Sequence, residues 1–214
     1  MPKKTNPLDE EPGGDGVSRR TFLKGAGLTA AGAAAAEAAL LGAGLAAGGP
    51  KTVGPGAVPI VLKVNGADRR IEVEPRTTLA EALRTNLSLT GTKIVCDRGA
   101  CSSCTVLLDG VPVNSCMTFA LDVGARAITT IEGLAKGEVL HAVQEGFIAA
   151  DAMQCGFCTP GMVMSCAALF HRNPYPTRDE VRDAVSGNLC RCGTYPHVVD
   201  ALVHAGEVGR ARGV

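Results

Sequence analysis

Cys96, Cys101 and Cys104 stand in the spacing C-x4-C-x2-C, and Cys116 follows after eleven intervening residues. A second group reads C-x2-C at Cys155 and Cys158 and C-x-C at Cys190 and Cys192, with 31 residues between its halves. The ninth cysteine, Cys166, stands apart from both patterns. An odd count argues against simple pairing into disulfides. Two sets of four thiols are what a soft metal centre takes as ligands.

The first group has the plant-type ferredoxin spacing of a [2Fe–2S] cluster. A loop must wrap the cluster so that three sulfurs converge from one side, with its backbone N–H groups turned toward negatively charged sulfides. Gly99, Ala100, Ser102 and Ser103 are small enough for that approach. The fourth sulfur arrives from a separate segment. Zinc is the chemical competitor, but structural zinc sites pair two short knuckles, and a step of five followed by a step of three is not that pattern. Disulfides are the other alternative. The second group taken alone fits zinc as well as iron, and it is the order and spacing of the two groups together that favour two clusters.

The elements that position these cysteines can be read from period and punctuation. Ile60, Leu62 and Val64 alternate, Asn65-Gly66 turns, and Ile71 and Val73 return, which predicts a hairpin. Thr78 with Glu81 three residues later reads as a capping box opening a helix. After the cysteine loop, Thr105 to Leu108 forms a strand, Asp109-Gly110 turns, and Val111 to Val113 returns. Hairpin, helix, cysteine loop and strand pair describe a small α+β domain.

The second half reads as helices. Thr159-Pro160 supplies an N-cap and a first-turn proline just behind Cys158. The apolar stripe Met162, Val163, Cys166, Leu169, Phe170 marks one buried face. That arrangement sets the second thiol group at a helix N-terminus, where the macrodipole favours negative charge. Further helices are predicted over 139–150, over 177–186 with Thr177 and Glu180 as a second capping box, and from Pro196 to about Val208. This is a four-helix domain over 134–214, following a domain over 59–133. Each is small enough to need a metal or another staple.

The first 47 residues read as an address. Residues 1–17 are polar and rich in Pro, Gly and acid, a composition expected to be disordered. Ser18-Arg19-Arg20-Thr21-Phe22-Leu23-Lys24 and the small, apolar run Gly25 to Ala47 resemble a twin-arginine signal. The run is long enough to span a bilayer, but Ala and Gly dominate it and Glu37 interrupts it, so it makes a poor anchor. Residues 48–58 form a Gly/Pro linker. Twin-arginine signals carry folded proteins, which predicts a periplasmic chain loaded with metal before export. Thiolates so occupied are no longer free to form disulfides in an oxidising compartment.

With these residues together, the chain from about 59 to 208 resembles the small iron–sulfur subunit of the xanthine oxidase family of molybdenum hydroxylases, and with its signal the periplasmic aldehyde oxidoreductase type. The resemblance implies an N-terminal β-grasp, plant-ferredoxin-like domain followed by an all-α four-helix [2Fe–2S] domain. It implies eight ligands in two sets, Cys96, Cys101, Cys104 and Cys116, then Cys155, Cys158, Cys190 and Cys192. The partners implied are a large molybdopterin subunit, usually an FAD subunit, and the twin-arginine translocation machinery. Electrons from substrate oxidised at molybdenum would pass through the second set and then the first, toward FAD or an external acceptor. Gln154 sits where the family uses a glutamine to hydrogen-bond the pterin across the interface. Ser102 and Ser103 replace the family's common Gly or Ala, and Val95 a common Gly; a hydroxyl beside the sulfurs would add a hydrogen bond and raise the potential.

The bland readings are these. Cys166 lies in an apolar stripe and reads as a buried inert thiol. His141, His171, His197 and His204 show no ligand spacing and read as ordinary helix residues. Arg98 and Arg191, between cluster cysteines, offset cluster charge or meet solvent or a partner. Zero formal net charge and the absence of Trp remove the field and stacking surfaces of a nucleic-acid binder. No nucleophile with a base, phosphate-cradling loop or molybdenum ligand motif is present, so substrate chemistry belongs to another chain. A solitary ferredoxin-like carrier or redox sensor, and a zinc-stabilised binding module, are the rival readings.

Overall fold

The alternation at the start of the first domain produces a strand. β1 (Val58–Val64) buries Leu62 and Val64 and leaves Val61 and Lys63 outside. Its partner β2 (Ala67–Val73) pairs Ala67 with Val64, so the turn is two residues long. Asn65 (φ 51°) and Gly66 (φ 80°) both take the left-handed conformation that such a turn demands. The structure, a computed structural model, describes Arg20 and residues 52–211, with side chains to residue 209. Apart from Arg20, the proposed signal and the apolar stretch 25–47 lie outside the described residues. The chain divides after Thr52, and the following unit, Val53–Val214, carries both cysteine groups.

Thr78 caps α1 (Leu79–Glu81): its hydroxyl accepts from the Glu81 amide, and the Glu81 carboxylate accepts from the Thr78 N–H at 2.9 Å. The helix then widens into a π-helical turn, Ala82–Asn86. From that turn Arg84 Nη1 donates to the carbonyls of Thr90 and Thr92 at 2.8 and 2.7 Å, fixing the approach to Cys96.

β3 (Thr105–Leu108) and β4 (Val111–Asn114) form the second hairpin, and β5 (Ala127–Thr129) joins the two hairpins into one sheet of order β2-β1-β5-β3-β4. β5 runs parallel to β1 and antiparallel to β3, making the sheet mixed. Asn65 secures this closure by donating to Thr130 Oγ1 at 3.0 Å and accepting from the Thr130 amide at 2.9 Å. All four residues of β3 are buried, because both its faces are covered. Val106 and Leu108 join Leu62, Leu79, Leu83 and Ile128 in the first core, while Leu107 packs beneath Met164 and Ala168.

Those last two residues belong to α3 (Thr159–Arg172), which with α2 (Ala142–Ala149), α4 (Arg178–Ala184) and α5 (Tyr195–Ala211) forms the second half. Its core includes Val143, Phe147, Met162, Phe170, Val181 and Leu202. α2 and α5 approach closely through Gly146, where an added Cβ would sit 2.1 Å from the Ala201 carbonyl oxygen. The Thr177–Glu180 capping box opens α4 as its spacing predicts.

Three helix starts differ from the sequence reading, that of α5 by one residue, at Tyr195 rather than Pro196. The helix expected from residue 139 begins at Ala142, because His141 is its N-cap: the ring Nδ1 accepts from the Val143 amide at 3.2 Å and Gln144 Oε1 accepts from the His141 N–H at 2.9 Å. Val139 instead pairs with Lys136. The cap of α3 is Cys158 rather than Thr159, so Thr159 already lies in the helix. No helix among the described residues is long and apolar enough to cross a membrane.

Candidate metal centres

The β3–β4 hairpin explains the gap of eleven residues before Cys116. Thr105 pairs with Asn114, so the residue before β3, Cys104, and the short turn after β4, Ser115–Met117, meet at the same end of the sheet. Ser115 locks that meeting, its buried hydroxyl donating to the Cys104 carbonyl at 2.6 Å. Cys96, Cys101 and Cys104 come from a loop with left-handed residues at Asp97, Gly99 and Ser102, turns that bring the Ala100 amide to the Cys96 sulfur at 3.3 Å. Arg98 lies exposed on this loop, its Nε donating to the Cys96 carbonyl at 3.1 Å.

The second set comes from two loops. Cys155 and Cys158 precede α3, and Cys190 and Cys192 lie between α4 and α5. Tyr195 Oη accepts from the Cys190 N–H at 2.8 Å and donates to the Asn188 carbonyl at 3.0 Å, pinning residues 188–190. The Thr194 hydroxyl lies 3.3 Å from the Cys190 sulfur.

Within each set the thiols lie within reach of one another. Cys96 meets Cys101, and Cys116 meets Cys104 and feels Cys96; Cys155 meets Cys192 and feels Cys190, and Cys158 meets Cys190 and feels Cys155. Among the described residues no three Cys, His, Asp or Glu side chains are grouped to hold a single metal ion. Four thiols per set, the first at the plant-type spacing, suit a centre of two irons held by four cysteines. None of the nine cysteines forms a disulfide in the structure.

The pairs are electrostatically uneven. The Arg98 backbone brings Cys96 down to about 7, while burial and the Cys104 sulfur push Cys116 up to about 11. Burial, then the Cys190 sulfur, push Cys158 up to about 12. Burial also raises Cys190, but the Thr194 hydroxyl and backbone outweigh it and bring that thiol to about 7. Cys166 is fully buried in the helical core, and burial pushes it up to about 12.

The two sets share a wall, which the sequence reading missed. The Leu189 amide donates to the Cys101 carbonyl at 3.0 Å and Asn188 Nδ2 donates to the Ser102 carbonyl at 3.0 Å. Gly161 faces the same carbonyl from α3. A glycine in a helix's first turn, directly after Pro160, is the one sequence signal that pointed there. No bond from the Ser102 or Ser103 hydroxyl to a cysteine sulfur occurs among the described residues. Gln154 lies exposed beside exposed Cys155, Met153 and Phe157.

A sheet domain with one four-thiol set, joined to a helical half with a second, defines a protein built for two thiolate-held binuclear centres. Family models match both parts: a 2Fe-2S iron-sulfur cluster binding domain over residues 62–127 and a [2Fe-2S] binding domain over 130–203. The nicotine 6-hydroxylase small subunit of Paenarthrobacter nicotinovorans is 46% identical over 157 residues, covering 73% of this chain and 94% of that one. The iron–sulfur-binding subunit of an Escherichia coli (strain K12) aldehyde oxidoreductase is 40% identical over 214 aligned positions, covering 92% of each. The crystal structure of quinoline 2-oxidoreductase from Pseudomonas putida 86 superposes with a TM-score of 0.70 at 46% identity, over 74% of this chain and 99% of that one. The chain belongs to the family of small [2Fe–2S] subunits of molybdenum hydroxylases and aldehyde oxidoreductases.

Proposed function

We propose that this chain is the electron-transfer subunit of a molybdenum-dependent oxidoreductase, with Cys96, Cys101, Cys104 and Cys116 holding one [2Fe–2S] cluster and Cys155, Cys158, Cys190 and Cys192 the other. The observation that carries it is the convergence of eight cysteines in two sets of four on either side of one shared wall. Each cluster, when bound, takes up and releases one electron at a time. The chain's own residues hold the sulfurs, close the wall between the sets and present the second set to a partner. In this reading 59–133 is a β-grasp, ferredoxin-like domain and 134–214 a four-helix domain, with 48–58 as a linker. Related chains named as subunits favour this role over a solitary carrier. The complex isolated from its native cells should contain about four irons per copy of this chain, two distinct reduced EPR signals and a larger molybdenum-bearing chain, with FAD on a further subunit. Zinc in place of iron, or no larger chain, would sink the proposal.

Gln154 is the residue we assign to the handover from the partner. Its amide offers both donor and acceptor on an exposed loop next to the most exposed ligand, which suits the edge of a pterin. Gln154→Ala should keep both EPR signals yet slow reduction of the clusters by substrate, or lower the molybdenum content of the complex. Wild-type values for both would reduce Gln154 to a loop residue.

The segment Ser18 to Lys24 is, in this reading, a twin-arginine signal that sends the folded, cluster-loaded chain to the periplasm through the translocation machinery. What supports this is the sequence itself, Arg19-Arg20 followed by Phe22-Leu23-Lys24 and the small, apolar run 25–47. Arg19→Lys with Arg20→Lys should leave iron-loaded protein in the cytoplasmic fraction. Normal periplasmic levels of the double variant would exclude the assignment.

A further inference from the structure

We propose that the Thr194 hydroxyl raises the reduction potential of the second cluster by donating a hydrogen bond to the Cys190 sulfur. The inference rests on reading Cys155, Cys158, Cys190 and Cys192 as the ligands of that cluster. Thr194 is 2% exposed and immediately precedes α5. A threonine at the head of a helix ordinarily turns its oxygen onto a first-turn amide. Among the described residues this hydroxyl has a different partner, the Cys190 Sγ at 3.3 Å.

The direction of that bond follows from the chemistry. A cysteine that ligates metal is a thiolate and has no proton to give, so the hydroxyl is the donor. Backbone groups of Thr194 and Gly193 face the same sulfur. The loop cannot easily swing away, because Tyr195 Oη holds the Cys190 N–H at 2.8 Å and Asn188 holds the Ser102 carbonyl at 3.0 Å. Reduction adds negative charge to the cluster. A donor aimed at one of its sulfurs therefore favours the reduced form, which raises the potential. Ser102 and Ser103, the hydroxyls that the sequence suggested for this role, make no such bond among the described residues, and Thr194 does.

The test is a redox titration of the isolated complex followed by EPR, with Thr194→Val, Thr194→Ser and Thr194→Ala beside the wild type. Thr194→Val keeps the β-branched shape and removes the donor. Its second-cluster signal should show an equilibrium constant for reduction about tenfold lower, equivalent to about 59 mV for a one-electron couple. Thr194→Ser restores the donor and should stay near wild type, and the first-cluster midpoint should not move in any variant. An unmoved second midpoint in Thr194→Val, with both signals present, overturns the proposal alone. If Thr194→Val does not retain the second cluster, Thr194→Ala against Thr194→Ser decides, and equal midpoints overturn the proposal. Absence of a second iron signal from the wild-type protein overturns the ligand reading, and this proposal with it.

Discussion

Cys104→Ser should abolish or alter one of the two reduced EPR signals and leave the other intact, whereas Cys166→Ser should change neither. Both thiols are buried, Cys104 at 3% and Cys166 at 0% exposed, so burial does not separate them. Surroundings do. Cys104 packs with Cys116 and Ala80, its carbonyl fixed by Ser115, at the end of the sheet where the β3–β4 register delivers the fourth sulfur. Cys166 lies among Met162, Leu169 and Phe170 in the helical core, and burial pushes its thiol up to about 12. What separates it from the equally raised Cys158 is company: burial alone acts on Cys166, whereas Cys158 also meets Cys190 and Cys155. Serine at 166 would bury a hydroxyl in apolar surroundings, a cost of about 1–3 kcal/mol by protein mutational data, eased where the hydroxyl bonds back to the preceding helical turn. Its effect therefore belongs in a melting curve and not in an EPR spectrum. Loss of a cluster in Cys166→Ser would show that the ligand set is wrongly drawn.

The features that the sequence disclosed are those whose partners lie within a few residues. Asn65-Gly66 is a two-residue turn with its own steric signature, and Thr78 with Glu81 and Thr177 with Glu180 are reciprocal caps three residues apart. The cysteine spacings were legible for the same reason, since a loop that wraps a cluster must repeat a short pattern. What stayed hidden is non-local. β5 is three residues long and becomes a strand by lying between β1 and β3. The bonds from Asn65 to Thr130 span 65 residues, and that from Asn188 to Ser102 spans 86. The start of α2 was misplaced because Val139 and Leu140 continue the apolar period backward, while the cap that ends it is a histidine ring, outside the residue types that usually signal a helix start. Thr194 carried no signal at all, because a hydroxyl two residues after Cys192 says nothing about which sulfur it meets.

The wall between the two sets yields the second large effect: Gly161→Ala should destabilise the protein, although helix propensity alone favours the substitution. Alanine inside a helix is better than glycine by about 1 kcal/mol. Against that gain, a Cβ at residue 161 would sit 2.4 Å from the Ser102 carbonyl oxygen and 2.9 Å from the Ser103 Cα. Both atoms are backbone and cannot rotate aside. The Ser102 carbonyl is further held by the Thr105 hydroxyl at 2.7 Å and by Asn188 Nδ2 at 3.0 Å, and its neighbours Cys101 and Cys104 are ligands in the reading above. Relief must therefore come from α3 moving off the loop, which also loosens Met164 and Ala168 from Leu107. Overpacking of a fixed contact costs about 1–3 kcal/mol, occasionally more, so the clash exceeds the propensity gain across most of that range. The net loss of up to about 2 kcal/mol corresponds to a drop in Tm of up to about 8 °C for a chain of this size. Spin–spin interaction between the two reduced clusters should weaken in the same variant, because the sets are drawn apart. A Gly161→Ala protein that melts higher than wild type, with the interaction unchanged, would show that the wall yields and that the close approach of α3 to the first cysteine loop is not required.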